Sequence, residues 1–226
     1  SRGDWSSDVC SSDLDKVVNA AKGAIFGQAG QICSAMSRVI AHKSIKNELV
    51  DKLANLATSL KVGHGSEDGT ELTPVISEEQ LQKIENFSRS GQQAGASVAA
   101  GGNRVDRKGY YFEATVFDNV QPEMTIAQEE IFGPVLSVLE YNDQDEAVDI
   151  ANGTEFGLAA GVFTNDVNQA TKMASQLNGG QIYVNSWFTG SVATPFGGYK
   201  QSGYSREKGQ EAIKSYLQLK NVGIQL

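Results

Sequence analysis

The chain has 226 residues, 40% of them hydrophobic, a formal net charge of −8 at pH 7 and two cysteines. That length and apolar content suffice for one sizeable domain core, while the acidic balance argues against a nucleic-acid or anionic-membrane surface. No apolar run approaches the roughly 20 residues of a bilayer span, and two cysteines make no disulfide framework, which suits a reducing cytoplasm.

Residues 1–14 contain a near-duplicated Ser-Ser-Asp, no helical or strand period and no signal-peptide core. They look like the translation of a sequencing-library adapter fused in frame, so this segment, Cys10 included, is set aside as a non-native prefix. Residues 15–26 read as a helix, with Val17, Val18, Ala21, Ala24 and Ile25 on one side. A short strand is expected at 38–41. Ser44 then caps an amphipathic helix to Leu60, with Ile45, Leu49, Leu53, Leu56 and Leu60 on one face. Residues 63–74 form a loop rich in glycine and charge, and Ser77 opens a helix whose stripe is Leu81, Ile84 and Phe87. Glycines and Asn103 lead into a strand-like stretch at 110–117. Beyond it, 135–141 reads as a buried strand, 143–152 as a helix, 159–163 as a strand, 166–177 as a helix and 181–185 as a strand. Such alternation predicts an α/β fold, a largely parallel sheet flanked by helices. The tail, 215–226, alternates apolar and polar residues through Tyr216, Leu217, Leu219, Val222 and Ile224. It is expected to be an exposed strand that pairs with a partner subunit; the alternative is pairing within its own domain.

Three motifs carry the chemistry. Phe26-Gly27-Gln28-Ala29-Gly30-Gln31-Ile32-Cys33 places a thiol after small residues that let backbone amides approach a substrate oxygen. A thiolate is a strong nucleophile, although a cysteine beside an isoleucine is by itself explained as a small core residue. Gln128-Glu129-Glu130-Ile131-Phe132-Gly133-Pro134-Val135 is a carboxylate pair ahead of a forced turn and an apolar run. Taken alone, the two glutamates are a solvated surface pair. The third motif is Thr194-Pro195-Phe196-Gly197-Gly198-Tyr199-Lys200-Gln201-Ser202-Gly203, continuing to Arg206-Glu207 and Gly209. It lacks the spacing of either phosphate-binding fingerprint and reads as a loop that lets two segments pack closely. His42 and His64 are isolated and have no metal spacing, so no metal site is expected.

Together, in this order, the motifs resemble those of the NAD(P)-dependent aldehyde dehydrogenase superfamily across nearly everything after residue 14. The resemblance implies that Cys33 is the catalytic nucleophile, forming a thiohemiacetal and then a thioester on the way from aldehyde to carboxylic acid. It implies that Glu130 holds the nicotinamide-side ribose of NAD or NADP, with Phe132 packed nearby. Ile32, Ser34, Trp187, Phe188 and Phe196 are assigned to the substrate tunnel. The family pattern divides the chain into a prefix at 1–14, a cysteine-bearing catalytic domain at 15–214 and a pairing tail at 215–226, and implies a homo-oligomer, dimer or tetramer.

The family's general-base glutamate sits in a Glu-Leu-Gly-Gly string before the cysteine. No such string occurs among the 32 residues ahead of Cys33, and no dinucleotide fingerprint follows a strand. The expectation is therefore a truncated piece of an aldehyde-oxidising enzyme, inactive alone. Competing expectations are a branch that acylates coenzyme A, a non-catalytic interaction module on the same fold, and a thiol hydrolase pairing Cys33 with His42 or His64.

Overall fold

The structure is a computed structural model that describes residues 11–226, with side chains from Leu14 onward; residues 1–10, and so Cys10, lie outside the described residues. Helix α1 (Ser11–Ala21) begins inside the segment set aside on sequence, and Leu14 is part of the core. It runs on through a π-turn (Lys22–Phe26) into a tight 3-10 turn (Gly27–Gly30). Then follow β1 (Arg38–His42), α2 (Lys46–Ser59), α3 (Glu78–Gln93), β2 (Ser97–Ala100), β3 (Thr115–Val120), α4 (Thr125–Gln128) and β4 (Val135–Tyr141). The C-terminal half adds α5 (Gln144–Asn152), β5 (Phe156–Gly157), β6 (Ala159–Val162), α6 (Val167–Gln176), β7 (Gln181–Val184) and β8 (Tyr199–Lys200).

The central sheet has the order β1-β4-β3-β2. Its β1–β4 and β3–β4 pairs are parallel and β2 joins β3 antiparallel. Strands β6 and β7 form a separate parallel pair. The central strand β4 is buried over Val135, Leu136, Ser137, Val138 and Leu139. A continuous apolar run of this kind is what a parallel strand covered on both faces requires. Helix α2 contributes Leu49, Val50, Leu53 and Ala57 to the same core, and α3 contributes Leu81 and Ile84. Each leucine, isoleucine or valine among them supplies about 1.5–3 kcal/mol of apolar burial.

Polar side chains fix the element ends. Ser77, Asp143 and Asp166 accept from the first-turn amides of α3, α5 and α6. The expected Ser44 cap is not made: its hydroxyl lies 2.7 Å from His42 Nδ1, and α2 starts from Ile45 without a side-chain cap. Arg38 donates to the carbonyls of Ile150 (3.2 Å) and Ala151 (3.1 Å) near the C-terminal end of α5. Burial pulls this guanidinium below its usual value, and the negative end of the helix offsets part of the lost hydration. Lys46 is buried beside Asp118 (2.7 Å) and donates to Asn119 Oδ1 (2.8 Å), tying α2 to β3.

Two expectations about strands change. The strand expected at 110–117 forms later, at Thr115–Val120, because Thr115 is where the chain first meets β4. The tail forms no strand within this chain: Gln210–Tyr216 is a 3-10 segment, and beyond it Leu219, Ile224 and Leu226 are almost fully exposed.

Candidate active site

Cys33 follows a turn whose geometry depends on unusual backbone angles. Gln28 and Ala29 take φ of 48° and 53° inside Gly27–Gly30, and Gly30 takes φ of 70°. That last position has a steric reason as well. A Cβ on Gly30 would sit 2.0 Å from the carbonyl oxygen of Gly133, so the cysteine turn and the loop after Glu130 meet backbone to backbone. The first and second motifs are thus one physical unit, joined by the absence of a side chain.

Side-chain amides hold both halves. Gln31 donates to Gln28 O (3.2 Å) and accepts from the Ile76 amide (2.9 Å). Gln80, in the first turn of α3, donates from Nε2 to the carbonyls of Ile131 and Phe132, both at 2.9 Å. These bonds brace the loop where Phe132 adopts φ of 56°. Past the cysteine, Ala35 N bonds Ile32 O (2.9 Å) and Met36 N bonds Ala24 O (3.1 Å). From the far end of the chain, Trp187 Nε1 donates to Ser34 O at 3.0 Å.

Cys33 is a free, exposed thiol. It lines a cavity of about 520 Å³ together with Ser34, Glu129, Glu130, Phe163 and Trp187. The same cavity continues between β1 and β6, where Val39 and Ala159 are among its walls. Among the described residues, no hydrogen bond or ion pair engages the Glu130 carboxylate. An unpartnered carboxylate facing a cavity shared with a thiol suits hydroxyl donors such as a ribose diol.

The other assigned residues separate. Ile32, Phe132, Phe188 and Phe196 are not among the cavity's lining residues. Phe188 is exposed and meets Trp187 edge-on at 6.3 Å. Phe196 exchanges two backbone hydrogen bonds of 2.7 Å with Glu207, and Lys208 Nζ lies 5.4 Å from its ring. The glycine-rich segment packs as tightly as its composition suggests, since a Cβ on Gly180 would fall 1.7 Å from Gly197 O. The histidines offer the thiol no base. His42 lines the cavity, but its Nδ1 is engaged by Ser44 Oγ (2.7 Å) and its Nε2 by Asn142 O (3.1 Å). His64 is not among the lining residues and bonds Ser66 Oγ (2.8 Å). Among the described residues, no group of three or more His, Cys, Asp or Glu side chains is placed to hold a metal ion.

Comparison with known proteins gives this geometry a family. Residues 9–222 match the profile described as "Aldehyde dehydrogenase family". The chain belongs to the aldehyde dehydrogenase family. It is 42% identical to a mitochondrial benzaldehyde dehydrogenase of Antirrhinum majus over 215 residues, covering 95% of this chain and 40% of that protein. It is 40% identical to a betaine aldehyde dehydrogenase of Brucella melitensis biotype 2 over 218 residues, covering 95% of this chain and 45% of that one. Among solved structures, the NAD+ complex of an aldehyde dehydrogenase from Bacillus cereus superposes with a TM-score of 0.88 at 42% identity, over 90% of this chain and 42% of that one. The chain therefore spans less than half the length of the aldehyde dehydrogenases it matches.

Two residues that brace the site escaped the sequence. Gln80 stands three residues after the Ser77 cap, a spacing that assigns its side chain to a capping box; it serves the 131–132 carbonyls instead. Trp187 reads on sequence as an apolar tunnel wall, whereas in the structure its N–H also serves the turn. The aromatic type was a usable signal, because a part-buried indole N–H finds an acceptor.

Proposed function

We propose that this chain carries the nucleophile of an enzyme that oxidises an aldehyde to a carboxylic acid with NAD+ or NADP+. The observation that carries the proposal is the shared cavity: the Cys33 thiol and the unpaired Glu130 carboxylate face one space, on turns locked together at Gly30 and Gly133. The Cys33 thiolate adds to the aldehyde carbonyl, and the resulting oxyanion is met by backbone amides of the cysteine turn. Oxidation of that thiohemiacetal leaves a thioester on Sγ, and water releases the acid. A nicotinamide dinucleotide, when bound, supplies the hydride acceptor. Glu130 would accept hydrogen bonds from its ribose hydroxyls, and Phe132, on the same loop but outside the cavity lining, would pack near it.

Ile32, Ser34, Trp187, Phe188 and Phe196 remain the proposed substrate channel, with Ser34 and Trp187 supported by their place in the cavity wall. Pairing of residues 215–226 with a second subunit accounts for the exposed Leu219, Val222, Ile224 and Leu226. A free working thiol suits a reducing compartment such as the cytoplasm.

The test uses an activated ester and an aldehyde. p-Nitrophenyl acetate should acetylate the Cys33 peptide with release of p-nitrophenol, and Cys33→Ala should remove both signals. In the enzyme that carries this chain, aldehyde-dependent reduction of the nicotinamide should likewise vanish in Cys33→Ala, and Glu130→Gln should raise the KM for cofactor. Acetylation or turnover at the wild-type rate in Cys33→Ala sinks the proposal.

A further inference from the structure

Trp187 lies on the segment after β7, 153 residues from the backbone it touches. Its indole is seated on β6: a Cβ on Gly161 would come within 2.8 Å of Trp187 Cζ3 and 3.0 Å of Cε3, so only glycine leaves that seat open. Tyr183 on β7 (ring centroids 5.5 Å away) and Phe188 (6.3 Å) close in on the ring from its own segment. Its one polar atom, Nε1, donates to the Ser34 carbonyl at 3.0 Å.

We propose that Trp187 is a positioning residue for the cysteine turn, acting through its N–H on the carbonyl of Ser34, and not solely a wall of the channel. The turn needs such a tie. On its N-terminal side it is held by Gln31 and the Gly30–Gly133 contact, and past the cysteine by the Ala35–Ile32 and Met36–Ala24 backbone bonds. On the cavity side, the Ser34 carbonyl is held by the Trp187 indole. The peptide bearing that carbonyl begins one residue after Cys33, so rotation there redirects the thiol. Seating the donor on the β6–β7 pair couples the turn to the half of the structure that forms the opposite wall of the cavity. A rigid donor with two side-chain torsions loses little freedom in making this bond.

This rests on the function proposed above for Cys33, but two of its tests need no turnover. In the 226-residue chain, deuterium uptake by the peptide covering 31–37 is compared between wild type, Trp187→Phe and protein grown with 7-azatryptophan. Phenylalanine keeps an aromatic ring on Gly161 and removes the donor; azatryptophan keeps the donor. Loss of one net hydrogen bond predicts exchange about fivefold faster in Trp187→Phe, confined to the turn, with azatryptophan protein like wild type. Peptide-resolved iodoacetamide labelling, in which thiolate displaces iodide, should show a changed pH–rate profile for Cys33 and none for Cys10. A residue that merely fills the seat is replaced adequately by phenylalanine and moves neither signal; that result overturns the proposal. In aldehyde oxidation, Trp187→Phe should lower kcat about fivefold with KM unchanged, whereas a raised KM at constant kcat would make Trp187 channel wall alone. If the exchange and labelling differences appear but p-nitrophenyl acetate does not acetylate Cys33, the function assigned to Cys33 fails while the positioning role stands.

Discussion

Replacing Gly30 by alanine tests whether the cysteine and glutamate motifs are one unit. Two costs add at this position. An alanine at φ of 70° pays for left-handed backbone, about 1–2 kcal/mol. Its Cβ would also meet the Gly133 carbonyl oxygen at 2.0 Å and carbon at 2.4 Å. Those are backbone atoms, which cannot rotate aside, so the loops must separate; overpacking of that kind costs about 1–3 kcal/mol. The sum, roughly 2–5 kcal/mol, is a large part of the 5–15 kcal/mol typical of a folded domain. A chain of this size loses roughly 2–4 °C in Tm per kcal/mol, so a fall of about 10 °C is expected. Gly27→Ala is the internal control, because its φ is −56° and nothing lies within 4 Å of the added carbon; it should be neutral or stabilise by about 0.4–1 kcal/mol. Urea denaturation followed by circular dichroism measures both variants, and iodoacetamide labelling of Cys33 below the transition reports displacement of the turn. A Gly30→Ala protein that unfolds at the wild-type urea concentration, or a Gly27→Ala protein equally damaged, refutes the packing described here.

Other perturbations probe the frame around the site. Lys46→Met leaves Asp118, 18% exposed, without its partner at 2.7 Å; a loss of about 3 kcal/mol in urea unfolding is expected, mostly recovered in Lys46→Met/Asp118→Leu. Gln80→Leu removes both hydrogen bonds to the Ile131 and Phe132 carbonyls, at a cost of about 1–3 kcal/mol, and should speed amide exchange at 131–133 without altering β4. Hydrogen bonds from Arg107, Lys22 and Arg104 hold the carboxyls of Glu67, Glu71 and Glu78 respectively below their ordinary value of 4.5. A carboxyl depressed in the folded state stabilises above its unfolded value and ceases to as pH falls through the folded one. The urea midpoint should therefore decline below about pH 4.5, more shallowly in the triple glutamine variant and in high salt.

What the sequence made legible was whatever depends on local period or on a tight turn. Leu81 and Ile84, three apart, do lie buried on one face of α3, and the run from Val135 is the buried central strand. The Ser44 cap was misjudged because His42, two residues away, competes for the same hydroxyl. Strand β2 went unseen because Ser97, Val98 and Ala99 are exposed, so no alternation marks an edge strand bonded on one side. The family resemblance groups Phe132 with Glu130, yet a spacing of two puts side chains on one face only in extended backbone. With φ of 56° at Phe132 that rule lapses, and only Glu130 reaches the cavity. The tail's alternation was equally visible, but alternation alone makes no strand: among the described residues, 217–226 pair with none of the open sheet edges.

The site itself was legible as chemistry and illegible as mechanics. A thiol, a carboxylate and aromatic residues are named by their letters, whereas what fixes them is contact between segments distant in the chain. Gly30 meets Gly133, Gln80 reaches the 131–132 carbonyls, and Trp187 reaches Ser34. Each tie is a backbone carbonyl met by a bare glycine or a single donor, so none leaves a charge or hydropathy pattern. That has an energetic corollary. A tie worth about one net hydrogen bond, such as Trp187 to Ser34, contributes little to global stability yet helps decide where Sγ points, and displacement of a reacting atom by about 1 Å can cost 10²-fold in rate. Trp187→Phe should thus separate from substitutions at Gly30 and Lys46: the first impairs chemistry at nearly unchanged Tm, and the others lower Tm first.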